Sequence, residues 1–101
     1  MAEPTNAGSV KIDLNKSAGR GRYFWDAPDG QQGEMTYRLT GNIMAIDHTY
    51  VPGQWRGRGV AEALVARGVE DARANGWKID PVCPYVARQL QLHNEWADLA
   101  V

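Results

Sequence analysis

The residues best suited to chemistry lie in one short segment, Gln54-Trp55-Arg56-Gly57-Arg58-Gly59-Val60-Ala61. Two glycines one residue apart allow the backbone to turn tightly and to approach a ligand closely. The sequence after them predicts a helix, whose free N–H groups and positive dipole end face the turn. A glycine turn that opens a helix binds phosphate with backbone amides, and the two arginines add positive charge. We therefore predict a pyrophosphate site, although a solvated basic turn that binds nothing is also compatible with this segment.

The spacing of the glycines excludes two better-known phosphate loops. A P-loop carries Lys and then Ser or Thr directly after its last glycine, where this chain has Val60 and Ala61. A dinucleotide fingerprint has a third glycine three residues after the second, where this chain has Glu62. The remaining pattern is Gln-x-x-Gly-x-Gly between a predicted strand and a predicted helix.

Residues on both sides of the turn extend this pattern. His48-Thr49-Tyr50-Val51-Pro52 leads into the turn, and Pro81-Val82-Cys83-Pro84-Tyr85-Val86 follows the predicted helix. In this order the segments resemble a small subfamily of minimal GNAT (GCN5-related N-acetyltransferase) proteins, which are single-domain chains from bacteria and plants. The resemblance spans about residue 10 to the C-terminus and is specific from residue 48 to residue 86. Position 50 is often acidic in the bacterial relatives and is Tyr here.

The resemblance implies an α/β, more strictly α+β, fold: a mixed and mostly antiparallel five-stranded sheet with one long helix and a short C-terminal helix. It implies an N-acetyltransferase that uses acetyl-CoA, which lies in a gap where the fourth and fifth strands splay apart. Larger family members wall the acceptor amine with N-terminal helices, and this chain has no room for them. We therefore expect an open acceptor side, which fits either a protein or peptide amine or a partner subunit that supplies the missing wall. The expected cofactor-binding residues are His48, Thr49, Val51, Arg56, Gly57, Arg58, Gly59, Val60, Ala61, Cys83 and Tyr85.

Cys83 and His48 are the expected catalytic residues. Cys83 precedes Pro84, which suits the first position of a helix, so free amides and the helix dipole stabilise a thiolate there. Three roles remain open for Cys83: a nucleophile that takes the acetyl group, a wall of the acetyl pocket, or a buried small hydrophobic residue. His48 is either a general base, since imidazole exchanges protons near neutral pH, or a hydrogen-bonded core histidine. Glu34 is an alternative base. We expect the side chains of His48 and Cys83 to lie on the same side of the splay.

The predicted elements bring these residues together. Strands are expected at 10–14, 22–26, 34–39, 43–51 and 77–82, with a turn at 16–22 that is either a second phosphate contact or a solvated hairpin tip. The fourth strand is apolar on both faces, which is typical of a strand covered on both sides. Apolar residues at helical spacing predict the long helix over 60–75, closed by Gly76. Gly68 lies inside its apolar stripe, which indicates a close approach to the sheet. A second helix is expected from Pro84 to about His93.

Composition narrows the class of protein. The chain has 101 residues, of which 44% are hydrophobic and 23% charged, as is typical of one globular domain. A net charge of −1 and the lack of a long apolar run favour neither nucleic acid nor a membrane as a partner. We expect a flexible tail over 1–9, which lacks the features of a secretory signal, and an acetyl-CoA-binding domain over 10–101.

The single cysteine limits the disulfides and metal sites that this chain can form. One cysteine excludes an intrachain disulfide and, with two histidines, argues against a metal site. The single cysteine favours the cytoplasm. We expect a monomer or weak homodimer. Two rival functions remain: a module that binds CoA or acyl-CoA without turnover, and an interaction domain whose glycine turn binds nothing.

Overall fold

The computed structural model describes residues 10–101, so the tail predicted over 1–9 lies outside the described residues. The elements in chain order are β1 (Asp13–Ser17), β2 (Arg20–Asp26), β3 (Gln32–Thr40), β4 (Ile43–Tyr50), α1 (Val60–Asn75), β5 (Lys78–Pro81) and α2 (Pro84–Leu92). Two short 3₁₀ helices, Gly53–Trp55 and Asn94–Leu99, precede α1 and follow α2. The five strands form one sheet in chain order, antiparallel from β1 to β4 and parallel between β4 and β5. The predicted mixed sheet with one long and one short helix is confirmed.

Helix α1 has the bounds that its apolar spacing predicted. Gly76 caps its C-terminus at φ 73°, a left-handed conformation that glycine adopts without strain. Gly68 lies against the sheet, since a Cβ atom there would be 2.9 Å from Cε of Met35. The close approach inferred from this glycine is therefore confirmed. None of the helices in the described part of the chain is long and apolar enough to cross a membrane.

The hydrophobic core lies on one face of the sheet, which we call the core face. Side chains of the sheet and of both α-helices meet there in one cluster, which includes the fully buried Met35, Met44, Ile46, Leu64 and Val86. The opposite face, which we call the outer face, carries the half-buried Glu34 and Thr36 and the exposed Arg38 and His48. The described part of the chain therefore leaves one side of the sheet accessible to a ligand.

The N-terminal hairpin differs from the sequence prediction. β1 begins three residues later than expected, and the turn shrinks to the two residues Ala18 and Gly19, with Gly19 at φ 72°. Ser17 pairs directly with Arg20 across this turn. Most of the predicted turn over 16–22 therefore belongs to strands. The basic residues of that segment are held in fixed positions on a hairpin.

The prediction that β4 is covered on both faces is wrong, because Ile43 on the outer face is already 37% exposed, and a β-bulge then redirects the rest of the strand. Thr36 pairs with His48 and Tyr37 pairs with Ile46, so Asp47 is the extra residue. The bulge reverses the alternation of side chains beyond it. Tyr50 therefore reaches the outer face, where it is 45% exposed, and among residues 10–101 only the core face of β4 is covered.

Candidate functional site

The site begins where β4 and β5 part. Their last paired residues are Ile46 and Pro81, and the amide of Cys83 donates a 2.8 Å hydrogen bond to the carbonyl of Ile46. Beyond this point β4 continues to Tyr50 with β3 as its partner strand. Within residues 10–101, the backbone edge of β4 that faces β5 is consequently free of strand pairing over 47–50.

A groove of about 450 Å³ opens beside this free edge and reaches the start of α1. The predicted cofactor-binding residues that line it are Thr49, Val51, Arg56, Gly57, Gly59, Val60, Ala61 and Tyr85. The predicted residues that do not line it are His48, Arg58 and Cys83. Tyr50, Trp55 and Glu62 complete the lining and were not among the predicted site residues.

Backbone amides form one end of the groove. Gly57 and Gly59 have φ values of 77° and 85°, which place the turn in a left-handed conformation. The first hydrogen bond of α1 runs from the amide of Ala63 to the carbonyl of Gly59, and no side chain caps the helix. The N–H groups of residues 60–62 therefore have no partner within the helix, and they favour an anion.

Asp29, in the turn between β2 and β3, holds the glycine turn from the side. Its Oδ2 accepts hydrogen bonds from the side-chain amide of Gln54 and from Nε1 of Trp55, the latter at 3.2 Å. A hydrogen bond from the backbone of Gln31 lowers the pKa of Asp29, so the carboxylate stays ionised at neutral pH. The first residue of the Gln-x-x-Gly-x-Gly pattern therefore fixes the turn and does not line the groove.

The two arginines of the turn are positioned differently. Nε of Arg56 donates a 2.8 Å hydrogen bond to the carbonyl of Val51, which directs the guanidinium along the groove. The guanidinium of Arg58 lies 5.2 Å from the ring centre of Trp55 and remains exposed. Arg56 is thus a lining residue, while Arg58 lies at the rim.

Cys83 is buried beneath the groove. It is the N-cap residue of α2 with Pro84 after it, as predicted, and only 8% of its surface is exposed. Its Sγ lies 3.7 Å from Oγ1 of Thr49, on the core face. The thiol therefore packs between the core and a residue that lines the groove.

His48 lies on the outer face, and the prediction that it shares a side with Cys83 is wrong. Its Nε2 lies 3.1 Å from Oε2 of Glu34, and Oε1 of the same carboxylate lies 2.6 Å from Nε of Arg22. The bulge at Asp47 is the physical reason, because without it His48 would follow Ile46 onto the core face. The side chains of Arg22, Glu34 and His48 form a row of polar contacts across β2, β3 and β4.

Tyr85, at the start of α2, adds a hydroxyl to the groove. Burial raises its pKa, and the negative charge of Glu62 adds to this effect. The Tyr85 hydroxyl therefore keeps its proton at neutral pH and acts as a hydrogen-bond donor.

Comparison with known proteins agrees with this geometry. A model of the GCN5-related N-acetyl-transferase family matches residues 22–99. A GCN5-like protein of proposed N-acetyltransferase activity from Staphylococcus aureus is 27% identical, with a TM-score of 0.69 over 88% of this chain and 87% of that one. A protein of proposed acetyltransferase activity from Agrobacterium tumefaciens, 20% identical, has the same fold with a TM-score of 0.54 over 88% of this chain and 64% of that one. The chain belongs to the GCN5-related N-acetyltransferase family.

Proposed function

We propose that this protein transfers the acetyl group of acetyl-CoA to an amine of a protein or peptide. The observation that carries the proposal is the continuity between two sets of free backbone groups. The unpaired amides at the start of α1 lie at one end of the groove, and the unpaired edge of β4 runs away from them.

The groove fits the chemistry of coenzyme A. The amides of residues 60–62 and the guanidinium of Arg56 suit its pyrophosphate, because both favour negative charge. The free edge of β4 over 47–50 suits the amides of the pantetheine arm, which a strand edge binds as it would bind a neighbouring strand. A volume of about 450 Å³ is in the range of small-molecule sites.

His48 is our proposed general base. When bound, acetyl-CoA supplies a thioester carbonyl as the acetyl donor. His48 adjoins Thr49, which lines the groove, but its own side chain faces the accessible outer face. With Nε2 donating to Glu34, the lone pair is on Nδ1, which is then free to take a proton from an acceptor amine. The Glu34 carboxylate, held by Arg22, stabilises the positive charge that His48 acquires.

Cys83 and Tyr85 receive supporting roles. A relay in which His48 activates the Cys83 thiol lacks support, because the two side chains lie on opposite faces of the sheet. We propose that Cys83 shapes the floor of the groove through Thr49, and that the amine attacks directly. As the C–N bond forms, the thioester C–S bond would break, and Tyr85, which keeps its proton at neutral pH and lines the groove, is the proposed proton donor to the departing CoA sulfur.

Three finer assignments belong to the same proposal. The His-Thr-x-Val and Pro-x-Cys-Pro-Tyr segments favour the small subfamily of minimal members as this chain's group. The single free cysteine favours the reducing cytoplasm. We propose a monomer or weak homodimer.

Two measurements test the function. Calorimetry with CoA, dephospho-CoA and pantetheine should show that removal of the phosphates weakens binding, and that added salt weakens the binding of CoA. Release of free thiol from acetyl-CoA should then depend on an added peptide amine. Binding of CoA without thiol release would identify the non-catalytic module, and equal binding of CoA and pantetheine would contradict the phosphate assignment.

A further inference from the structure

A second groove, of about 370 Å³, lies on the outer face across β1, β2, β3 and β4. Its lining includes four basic residues, Lys16, Arg20, Arg22 and Arg38, and one acidic residue, Asp47. We call it the basic groove. It lies outside the groove proposed for acetyl-CoA and shares no lining residue with it.

Much of the positive charge in the basic groove is not neutralised. Nε of Arg22 donates a 2.6 Å hydrogen bond to Oε1 of Glu34, and Nη2 of Arg22 donates a 2.7 Å hydrogen bond to Oε1 of Gln32. Nε of Arg38 is 3.9 Å from Asp47, too far for a hydrogen bond, and its side chain is 65% exposed. Arg20 is exposed and forms no ion pair with any residue in the range 10–101. The groove therefore attracts an anion more strongly than the net charge of the chain suggests.

Strand register places this charge at a fixed distance from His48. Arg20 and Arg38 are direct cross-strand partners, two residues along from the row that contains Arg22, Thr36 and His48. Strand spacing and rise place the Cα atoms of Arg38 and Arg20 about 8 Å and about 12 Å from that of His48. An extended peptide covers these distances in about two to four residues.

We infer that the basic groove selects acceptor peptides that carry an anionic side chain, carboxylate or phosphate, two to four residues from the acceptor amine. Arg20 and Arg38 bind that side chain while the amine lies at His48. This inference rests on the proposed acetyl transfer and names the class of acceptor for it. Charge complementarity determines the occupant, because two guanidinium groups without close partners form forked hydrogen bonds with carboxylates and phosphates.

The test uses blocked peptides with a single lysine amine and one variable residue three positions later: Glu, phosphoserine, Gln or Arg. Thiol release gives kcat and KM for each peptide, and fluorescence anisotropy with CoA present gives binding that does not depend on turnover. We expect the Glu peptide to have a KM roughly threefold to fivefold lower than that of the Gln peptide, since exposed ion pairs contribute modestly. The phosphoserine peptide should bind at least as well as Glu, and the Arg peptide worst.

Variants of Arg20 and Arg38 test whether the basic groove causes the preference for anionic peptides. The double variant Arg20→Ala/Arg38→Ala should lose the difference between the Glu and Gln peptides, and Arg20→Glu/Arg38→Glu should prefer the Arg peptide. Arg88→Ala is the matched control, because Arg88 is exposed on α2 and outside the basic groove, and it should keep the wild-type preference.

The outcomes separate this inference from the proposed function. Equal KM and equal binding of the Glu and Gln peptides by the wild type would overturn the inference while leaving acetyl transfer intact. A preference that persists in Arg20→Ala/Arg38→Ala would also overturn it. If no peptide releases thiol, the proposed function fails, and the anisotropy series alone decides whether the groove selects anionic peptides.

Discussion

The imidazole of His48 and the carboxylate of Glu34 are in contact, with Nε2 and Oε2 3.1 Å apart on the outer face of the sheet. The pair connects two strands, and it is fixed from the other side by the ion pair between Glu34 and Arg22. A histidine held in this way has one nitrogen committed to the carboxylate and one free, which is the arrangement that a general base needs.

The first prediction compares the two candidate catalytic residues. His48→Ala should lower kcat by about two orders of magnitude or more, since a positioned base contributes about 10²–10⁴-fold. Cys83→Ala should keep kcat within about threefold of the wild type, because direct attack by the amine does not use the thiol. Steady-state thiol release measures both. The opposite ranking would restore Cys83 as a nucleophile, and acetylation of Cys83 by acetyl-CoA alone would confirm that reversal.

The second prediction tests whether Glu34 assists His48 as a general base. Glu34→Gln should lower kcat by about tenfold, because a neutral amide no longer stabilises the charged imidazole, while the KM for acetyl-CoA should stay constant. Glu34→Asp should restore part of the loss. A parallel rise in the KM for acetyl-CoA would indicate that Glu34 only supports the sheet.

The third prediction concerns the glycine turn and uses two glycines at opposite ends of α1. Gly59 is the N-cap residue at φ 85° and Gly76 is the C-cap residue at φ 73°, so Ala costs about 1–2 kcal/mol at either position. Gly59→Ala should also lower CoA affinity by about tenfold, because relief of the strain rotates the amides that face the phosphates. Gly76→Ala should bind CoA like the wild type in calorimetry. Equal CoA affinity in the two variants would contradict the phosphate site.

Helix α1 and its glycine turn were predictable because their signals are local. The apolar period, the terminal glycines and the Cys83-Pro84 pair each act within a few residues, so sequence alone set the bounds of α1 and the start of α2. The direction of side chains on β4 was not predictable in the same way. It depends on pairing with β3.

The register of the hairpin formed by β3 and β4 gives the physical reason. Thr40 pairs with Ile43, which in a regular hairpin would place Thr36 opposite Asp47. The bulge moves that partner to His48 and thereby creates the contact with Glu34. Three consecutive polar residues, 47–49, interrupt the apolar alternation of the strand, and they are the signal that could have indicated the bulge.

The fourth prediction follows from the buried hydroxyl of Tyr23. It donates a 2.7 Å hydrogen bond to Oδ2 of Asp71, and burial together with this carboxylate raises the pKa of Tyr23 well above its ordinary value near 10. A raised pKa in the folded state gives a stabilising contribution that is complete below about pH 10 and is lost as the pH rises further. The urea midpoint of the wild type should therefore decline above pH 10.

Substitution of Tyr23 tests whether this residue causes the alkaline decline of the urea midpoint. Tyr23→Phe should lower the free energy of unfolding by about 1–2 kcal/mol at pH 7, because the buried hydrogen bond is lost, and it should show a shallower alkaline decline. Tyr50→Phe is the control, since Tyr50 is exposed, and it should keep the wild-type profile. An unchanged alkaline decline in Tyr23→Phe would assign it to another group, such as Tyr37, whose pKa burial also raises.

The last prediction concerns the close packing of Gly21 against Tyr37, its cross-strand partner. A Cβ atom at Gly21 would lie 2.1 Å from Cε1 of that ring. The ring is only 4% exposed and packs against Tyr23 and Trp77, with centroid distances of 5.5 and 6.3 Å, so it has little room to move. Gly21→Ala should therefore lower the free energy of unfolding by about 2–3 kcal/mol.

Gly53→Ala is the matched control for that substitution. No atom lies within 4 Å of a Cβ at Gly53, so the free energy of unfolding should change by about 0.5 kcal/mol or less. Urea unfolding of both variants measures the difference. Equal stabilities of the two variants would mean that the Tyr37 ring yields easily and that this contact does not limit packing of the core.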